Sequence, residues 1–113
     1  MIRIEHRTIG DVHLLDIEGR LTIGEGTAGF REAIHRVIQL GGRRLVLNLA
    51  GVTHMDSSGI GELVSAYTTM SNLGGRVKLL HVPPRIREVL TITKLATVFE
   101  SFEDEAAAIG SFS

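Results

Sequence analysis

The 113-residue sequence contains no cysteine and no tryptophan. The absence of cysteine excludes a disulfide framework, a thiolate zinc site and a cysteine nucleophile. Charge of one sign is not in excess either, because 12 Lys and Arg residues stand against 13 Asp and Glu residues. This balance argues against nucleic acid as a direct partner, which needs a clustered basic face. With four Phe and one Tyr, the chain also has few aromatic residues for stacking against bases.

Long apolar runs are absent as well. None approaches the ~18 residues that would span a bilayer, and the N-terminus is charged and alternating, unlike a signal peptide. We therefore expect no membrane insertion and a cytoplasmic location. The length fits one domain covering residues 1–113, and a composition of 43% hydrophobic and 22% charged residues is that of a globular domain.

The pattern of apolar residues predicts an α/β fold. Residues 2–8 alternate at period two, Gly10 and Asp11 make a turn, and a second strand begins at Val12, which predicts an N-terminal antiparallel hairpin. Helices and strands then alternate. The predicted order is helix 27–40, strand 45–49, helix 57–73, strand 77–82, helix 85–92, strand 97–102 and helix 104–109. Because strands separated by single helices are usually parallel, we expect a mixed β-sheet.

Residues 24–29 match the Gly-x-Gly-x-x-Gly pattern of dinucleotide sites, but their context differs. The preceding strand carries Asp16, Glu18 and Arg20, so it is not a doubly buried first strand. No ribose-binding acid follows about 20 residues later. We interpret the pattern as a flexible turn into the first helix and expect no cofactor.

The histidines and the basic residues do not form an evident site. The histidines lack the spacing of metal ligands, so we place them at the surface or half-buried and expect no metal. They are His6, His13, His35, His54 and His81. Arg85, Arg87 and Lys94 would form at most a weak basic patch.

The most informative residues are Asp56, Ser57 and Ser58, at the turn from a buried strand into a helix. A helix N-cap explains only one of them, because one cap needs one oxygen. A catalytic serine is disfavoured, since the Gly-x-Ser-x-Gly frame does not fit and no histidine and acid pair is indicated as a base. The third interpretation is a phosphorylation switch. Residues 45–75 contain no Lys or Arg, so a phosphate beside Asp56 would stand unneutralised and block a partner that docks there by apolar contact.

Residues 55–61, Met-Asp-Ser-Ser-Gly-Ile-Gly, resemble the Asp-Ser-Ser-Gly-Leu/Ile-Gly signature of STAS domains, specifically of bacterial anti-sigma factor antagonists. The resemblance covers nearly the whole chain. It includes the Gly-x-Leu at residues 19–21, the strand at 45–49, the glycine pair at 74–75 and the segment 83–99. It implies a single STAS-like α/β domain that is not an enzyme.

The resemblance also implies a role. Such proteins bind an anti-sigma factor that is also a serine kinase, release the sigma factor it held and so regulate transcription. The kinase would phosphorylate Ser57 with ATP that it binds itself, and a PP2C-type phosphatase would restore the active form. The partner would contact the residues around that serine, namely Thr22, Asp56, Ser57, Ser58, Gly59 and Ile60.

Thr22 departs from the family pattern, because many of these antagonists have Asp directly after the Gly-x-Leu. This keeps open a second class, a STAS subunit with a regulatory or structural role in a lipid-asymmetry transporter or stressosome-like complex. A third class, the nucleotide-binding enzyme, rests only on residues 24–29. Self-association is also left open by the sequence.

Overall fold

The computed structural model describes all 113 residues and has the predicted order of elements. An N-terminal hairpin is followed by alternating helices and strands. The elements are β1 (Ile2–Ile9), β2 (Val12–Leu21), α1 (Glu25–Gln39), β3 (Arg44–Met55), α2 (Ser57–Asn72), β4 (Arg76–Leu80), α3 (Pro84–Ile92), β5 (Ser101–Phe102) and α4 (Glu105–Gly110). No helix is both long enough and apolar enough to cross a membrane.

The five strands form one mixed sheet in the order β1-β2-β3-β4-β5. Strand β1 is antiparallel to β2, and all the other neighbouring pairs are parallel. The predicted mixed sheet and α/β class are therefore confirmed. Because β2, β3 and β4 are parallel, their carboxyl ends lie at the same edge of the sheet, where Leu21 stands opposite Met55.

The sheet has a large and a small apolar face. The larger core cluster joins side chains of the sheet to buried residues of α1, α2 and α3, among them Phe30, Leu63 and Ile86. On the other face, α4 packs through Ala108 on a smaller cluster that includes Val46. This division follows from strand geometry, because successive side chains of a strand point to opposite faces.

Polar contacts also hold α4 against the sheet. The Arg7 guanidinium donates to Asp16 (Nε to Oδ2, 2.6 Å) and to Glu105 (Nη2 to Oε1, 2.6 Å). The hydrogen bond from Arg7 lowers the pKa of the Asp16 carboxyl below its ordinary value. Lys78 is buried and donates from Nζ to the hydroxyl and the carbonyl oxygen of Ser111, at 2.8 and 3.1 Å. These bonds fix the end of the chain beneath the sheet.

Two strand boundaries differ from the prediction by more than two residues. Strand β3 continues past residue 49 to Met55, because β2 stays beside it through two register shifts. The prediction of a strand over residues 97–102 is wrong for its first four residues. The N–H groups of Val98 and Phe99 donate to the carbonyl oxygen of Leu95 (3.0 and 3.3 Å), so the chain turns there. Phe99 is buried, so its apolar character reflects packing rather than a strand.

Candidate functional site

The serine segment predicted to carry function lies at the carboxyl edge of the parallel strands. Asp56 follows β3 in an extended conformation and is the N-cap of α2. Ser57 is the first residue of the helix and is exposed, whereas Ser58 and Ile60 are half-buried. The turn therefore presents one hydroxyl openly to solvent, at the point where a helix begins.

Asp56 joins two loops of this edge. Its Oδ1 accepts a hydrogen bond from the N–H of Gly59 (2.9 Å), and its Oδ2 accepts one from the N–H of Ile23 (3.0 Å). The first bond caps α2, and the second ties down the loop between β2 and α1. The N–H groups of Ile23 and Gly59 hold the pKa of the Asp56 carboxyl below its ordinary value. Asp56 is thus an ionised residue that holds the backbone around Ser57.

The tie to Ile23 brings the loop after β2 to the serine segment. Thr22 is half-buried, and together with Asp56 it lines a surface groove that is described below. Its carbonyl oxygen accepts a hydrogen bond from the N–H of Thr27 at 3.1 Å, inside the first turn of α1. The structure therefore gathers all six of the predicted site residues at one edge of the sheet.

Two glycines allow both helices to approach the end of β2. A Cβ atom added to Gly59 would overlap the carbonyl oxygen of Leu21, and one added to Gly26 would overlap that of Arg20. Gly59 is buried by this packing, so it positions α2 rather than offering a contact surface. Gly24 has a φ of 102° at the start of α1. The glycines of residues 24–29 thus serve the turn and the helix packing.

A groove beside Asp56 was not expected from the sequence. It has a volume of about 240 Å³ and lies between the ends of β2 and β3 and helix α3. We call it the α3 groove. Its lining residues are Arg20, Thr22, His54, Met55, Asp56, Arg85, Ile86 and Val89.

The α3 groove changes the expected electrostatics of the site. Residues 45–75 do lack Lys and Arg, but the fold brings Arg20 and Arg85 to the same edge from elsewhere in the chain. The expectation of a sparsely charged face is therefore wrong, because it counted only residues 45–75. Arg87, grouped with Arg85 in the sequence, instead faces Glu103 at 3.5 Å. Arg20 and Arg85 are far apart in the sequence and line one groove only in the folded chain. No local sequence pattern therefore predicts the groove.

Two histidines that look unrelated in the sequence meet across the hairpin. Nε2 of His6 lies 2.8 Å from Nδ1 of His13, and the two rings are stacked with their centroids 5.0 Å apart. Burial, and then the charge of His6, lower the pKa of His13 below its ordinary value. His13 is near the beginning of β2, so the pair is at the opposite end of this strand from Thr22.

Comparison with known proteins identifies one domain family and related sequences. The family model described as STAS domain matches residues 3–108. A STAS-domain containing protein of Pseudomonas aeruginosa is 29% identical over 86 residues, which are 76% of this chain and 83% of that protein. An anti-sigma F factor antagonist of Paenibacillus polymyxa is 28% identical over 65 residues, which are 58% of this chain and 56% of that protein.

A solved structure shares the architecture. The Bacillus cell fate determinant SpoIIAA in its phosphorylated form superposes with a TM-score of 0.76 at 21% sequence identity. The superposition covers 98% of this chain and 100% of that chain. At this level of identity, the similarity concerns the fold.

Proposed function

The chain belongs to the STAS domain family, and from this premise we propose that it is an anti-sigma factor antagonist that acts in the cytoplasm. It binds an anti-sigma factor that is also a serine kinase, and so releases a sigma factor for transcription. The observation that carries this proposal is the exposed Ser57 next to an acid that joins both loops of the edge. The Paenibacillus polymyxa relative, an anti-sigma F factor antagonist, supports it. In this role the chain is a regulatory binding partner and not an enzyme.

Phosphorylation of Ser57 switches the antagonist off. The kinase transfers the γ-phosphoryl group of its own ATP to the Ser57 hydroxyl oxygen, ADP leaves, and a base of the kinase takes the hydroxyl proton. The first turn of α2 tolerates the phosphate, because free N–H groups and the helix dipole favour an anion there. A PP2C-type phosphatase hydrolyses the phosphoserine. The existence of SpoIIAA, which has the same fold, in a phosphorylated form supports this switch.

The switch acts on binding rather than on the fold. Ser57 is exposed, so a phosphate there displaces no core side chain. It adds about 1.5 to 2 negative charges beside Asp56, on the surface that Thr22, Ser58 and Ile60 share with the partner. The phosphate repels negative groups and would have to lose its bound water when the partner docks, and both effects weaken the complex.

A single experiment tests the proposal. The chain is coexpressed with each anti-sigma serine kinase of its own genome, and phosphorylation is detected as a slower band on a phosphate-affinity gel. We expect one kinase to produce the band, Ser57→Ala to abolish it and to bind that kinase constitutively, and Ser65→Ala to change nothing. Ser65 is a suitable control because it is an exposed serine on the same helix. Phosphate on Ser58 instead of Ser57 would contradict the assignment.

A second candidate function follows from Thr22. This residue offers no charge where it lines the groove beside Asp56, so a kinase that requires an acid there would engage this chain poorly. The chain would then be a STAS subunit of a lipid-asymmetry transporter or stressosome-like complex. In that case no kinase would phosphorylate Ser57, and the chain would copurify with a transporter ATPase or with other STAS proteins.

A further inference from the structure

The α3 groove carries two arginines that the rest of the chain leaves free. Arg20 and Arg85 are exposed, and both line the groove. Neither takes part in any of the seven ion pairs of the chain. His54 is exposed on the same wall. The acid in the groove is Asp56, whose two oxygens already accept N–H groups of the backbone. The groove thus holds two arginines that form no ion pair, while the carboxylate of Asp56 in the same groove is bound to the backbone.

The α3 groove also has apolar lining residues. Ile86 is buried, while Met55 and Val89 are half-buried and line the groove. Close by, the loop that Asp56 holds down presents Ile23, whose side chain is 76% exposed. Exposed arginines that line a groove together with apolar side chains are typical of a protein contact surface, where Arg is enriched.

We propose that the α3 groove docks an extended segment of the partner protein that presents a carboxylate beside an apolar side chain. The carboxylate pairs with Arg20 and Arg85, because a guanidinium matches a carboxylate with two parallel N–H donors. The apolar neighbour packs on Ile86 and Val89. Asp56 repels a carboxylate at its own end, which orients the segment toward the arginines.

This inference rests on the proposed function for the identity of the partner, and it adds the chemistry by which the partner is recognised. It also gives phosphorylation a second effect. A phosphate on Ser57 adds negative charge at the edge that holds Arg20 and Arg85, so it competes with the incoming carboxylate for the same cations.

The test uses a displayed library of random peptides, selected on the full chain and then against an Arg20→Glu/Arg85→Glu variant. We expect the enriched peptides to carry Asp or Glu next to Leu, Ile or Phe. Each single charge reversal should weaken a selected peptide about 10-fold or more, as the loss of a charge-assisted hydrogen bond does. A peptide whose acid is replaced by Lys should regain affinity for Arg20→Glu.

The control is Arg76→Glu, at an exposed arginine at the beginning of β4, on the opposite edge of the sheet. It should leave peptide affinity unchanged, and melting curves should show that all variants are folded. The inference is overturned if no peptide is enriched, if the enriched peptides lack acids, or if they bind the double variant as well as the parent. The kinase experiment is independent. Peptide binding without phosphorylation of Ser57 would contradict the proposed function but support the docking role of the groove. Phosphorylation of Ser57 without peptide binding would contradict only the docking role of the groove.

Discussion

At the scale of single residues, Asp56 has the most defined task. It is an acceptor for the N–H groups of Ile23 and Gly59, which belong to two different loops. The signature of the family places an acid before the serine, and the structure gives this acid a physical reason. It keeps the loop after β2 and the start of α2 in a fixed relation, so that Ser57 and Thr22 belong to one surface.

Replacing Asp56 with Ala should loosen both loops at once. We expect the melting temperature to fall and the amide hydrogens of Ile23 and Gly59 to exchange faster, because both lose their acceptor. Asp56→Asn keeps one side-chain oxygen, so its melting temperature and exchange rates should lie between those of the parent and of Asp56→Ala. Hydrogen exchange measured by NMR tests this directly. Unchanged exchange at Ile23 in the Ala variant would mean that another group holds the loop.

The His6 and His13 pair should make stability depend on pH. The pKa of His13 is lowered in the folded chain by burial first and by His6 second. As the pH falls, His13 in the unfolded chain is therefore protonated near the ordinary histidine pKa of about 6.5. In the folded chain His13 is protonated only at a lower pH. Stability should be full above a pH of about 6.5 and should decline as the pH falls through it. Asp11 acts in the opposite direction and limits the effect.

Chemical denaturation between about pH 5 and pH 7.5 would measure this decline. His6→Gln should reduce it, because the charge repulsion disappears while the burial of His13 remains. His35 is exposed on α1, so His35→Gln should leave the pH dependence as it is. Equal pH dependence in the parent and His6→Gln would show that His6 does not affect the protonation of His13.

At the scale of elements, the sequence predicted what depends on local periodicity. The hairpin, the three longer helices and the buried strands follow from alternating or helical apolar patterns, and Gly41 and Gly74 end helices with φ values of 81°. The last residues of β3 were missed, because their pairing depends on β2 and not on an apolar run. Residues 97–100 were misassigned because the burial of Phe99 in a turn looks like that of a strand.

The candidate site was predictable to the same extent. The residues from Asp56 to Ile60 are contiguous, so a motif could reveal them, and the resemblance supplied Thr22. The groove cations come from β2 and α3, which meet only in the folded chain. A residue such as Arg85 has no local feature that distinguishes it from Arg87.

Two glycines of α2 offer a matched test of how closely the helix must approach β2. A Cβ atom at Gly59 would overlap the carbonyl oxygen of Leu21, whereas one at Gly61 would meet nothing within 4 Å. Gly61→Ala should stabilise the protein by about 0.5 to 1 kcal/mol through helix propensity. Gly59→Ala should destabilise it by about 1 to 3 kcal/mol, because backbone must move. Urea denaturation compares the two variants, and a stable Gly59→Ala protein would contradict the close packing.

At the scale of the whole molecule, the sheet separates the site from the last helix. The larger core, shared by α1, α2 and α3, supports the edge that carries Ser57 and the α3 groove. Helix α4 covers the other face of the sheet. Its Ala108 is buried there, its Glu105 accepts a hydrogen bond from Arg7, and Ser111 at its end accepts one from Lys78. No residue that lines the α3 groove belongs to the small cluster under α4 or to its contacts with Arg7 and Lys78, so the energetics of α4 should be nearly independent of partner binding.

Overpacking beneath α4 tests this independence. Ala108 is fully buried, and its cluster includes Val46 and Leu80. Ala108→Leu should lower the free energy of unfolding by about 1 to 3 kcal/mol, because the added methyl groups have no space. Below the unfolding transition, the affinity of selected groove peptides should change less than about 2-fold, since distant sites without shared contacts are nearly additive. Scanning calorimetry compares the stability of the parent and the variant. Isothermal titration calorimetry, at one temperature for both proteins, compares their peptide affinities. A 10-fold loss of peptide affinity in a folded Ala108→Leu protein would show that α4 and the groove are coupled through the sheet.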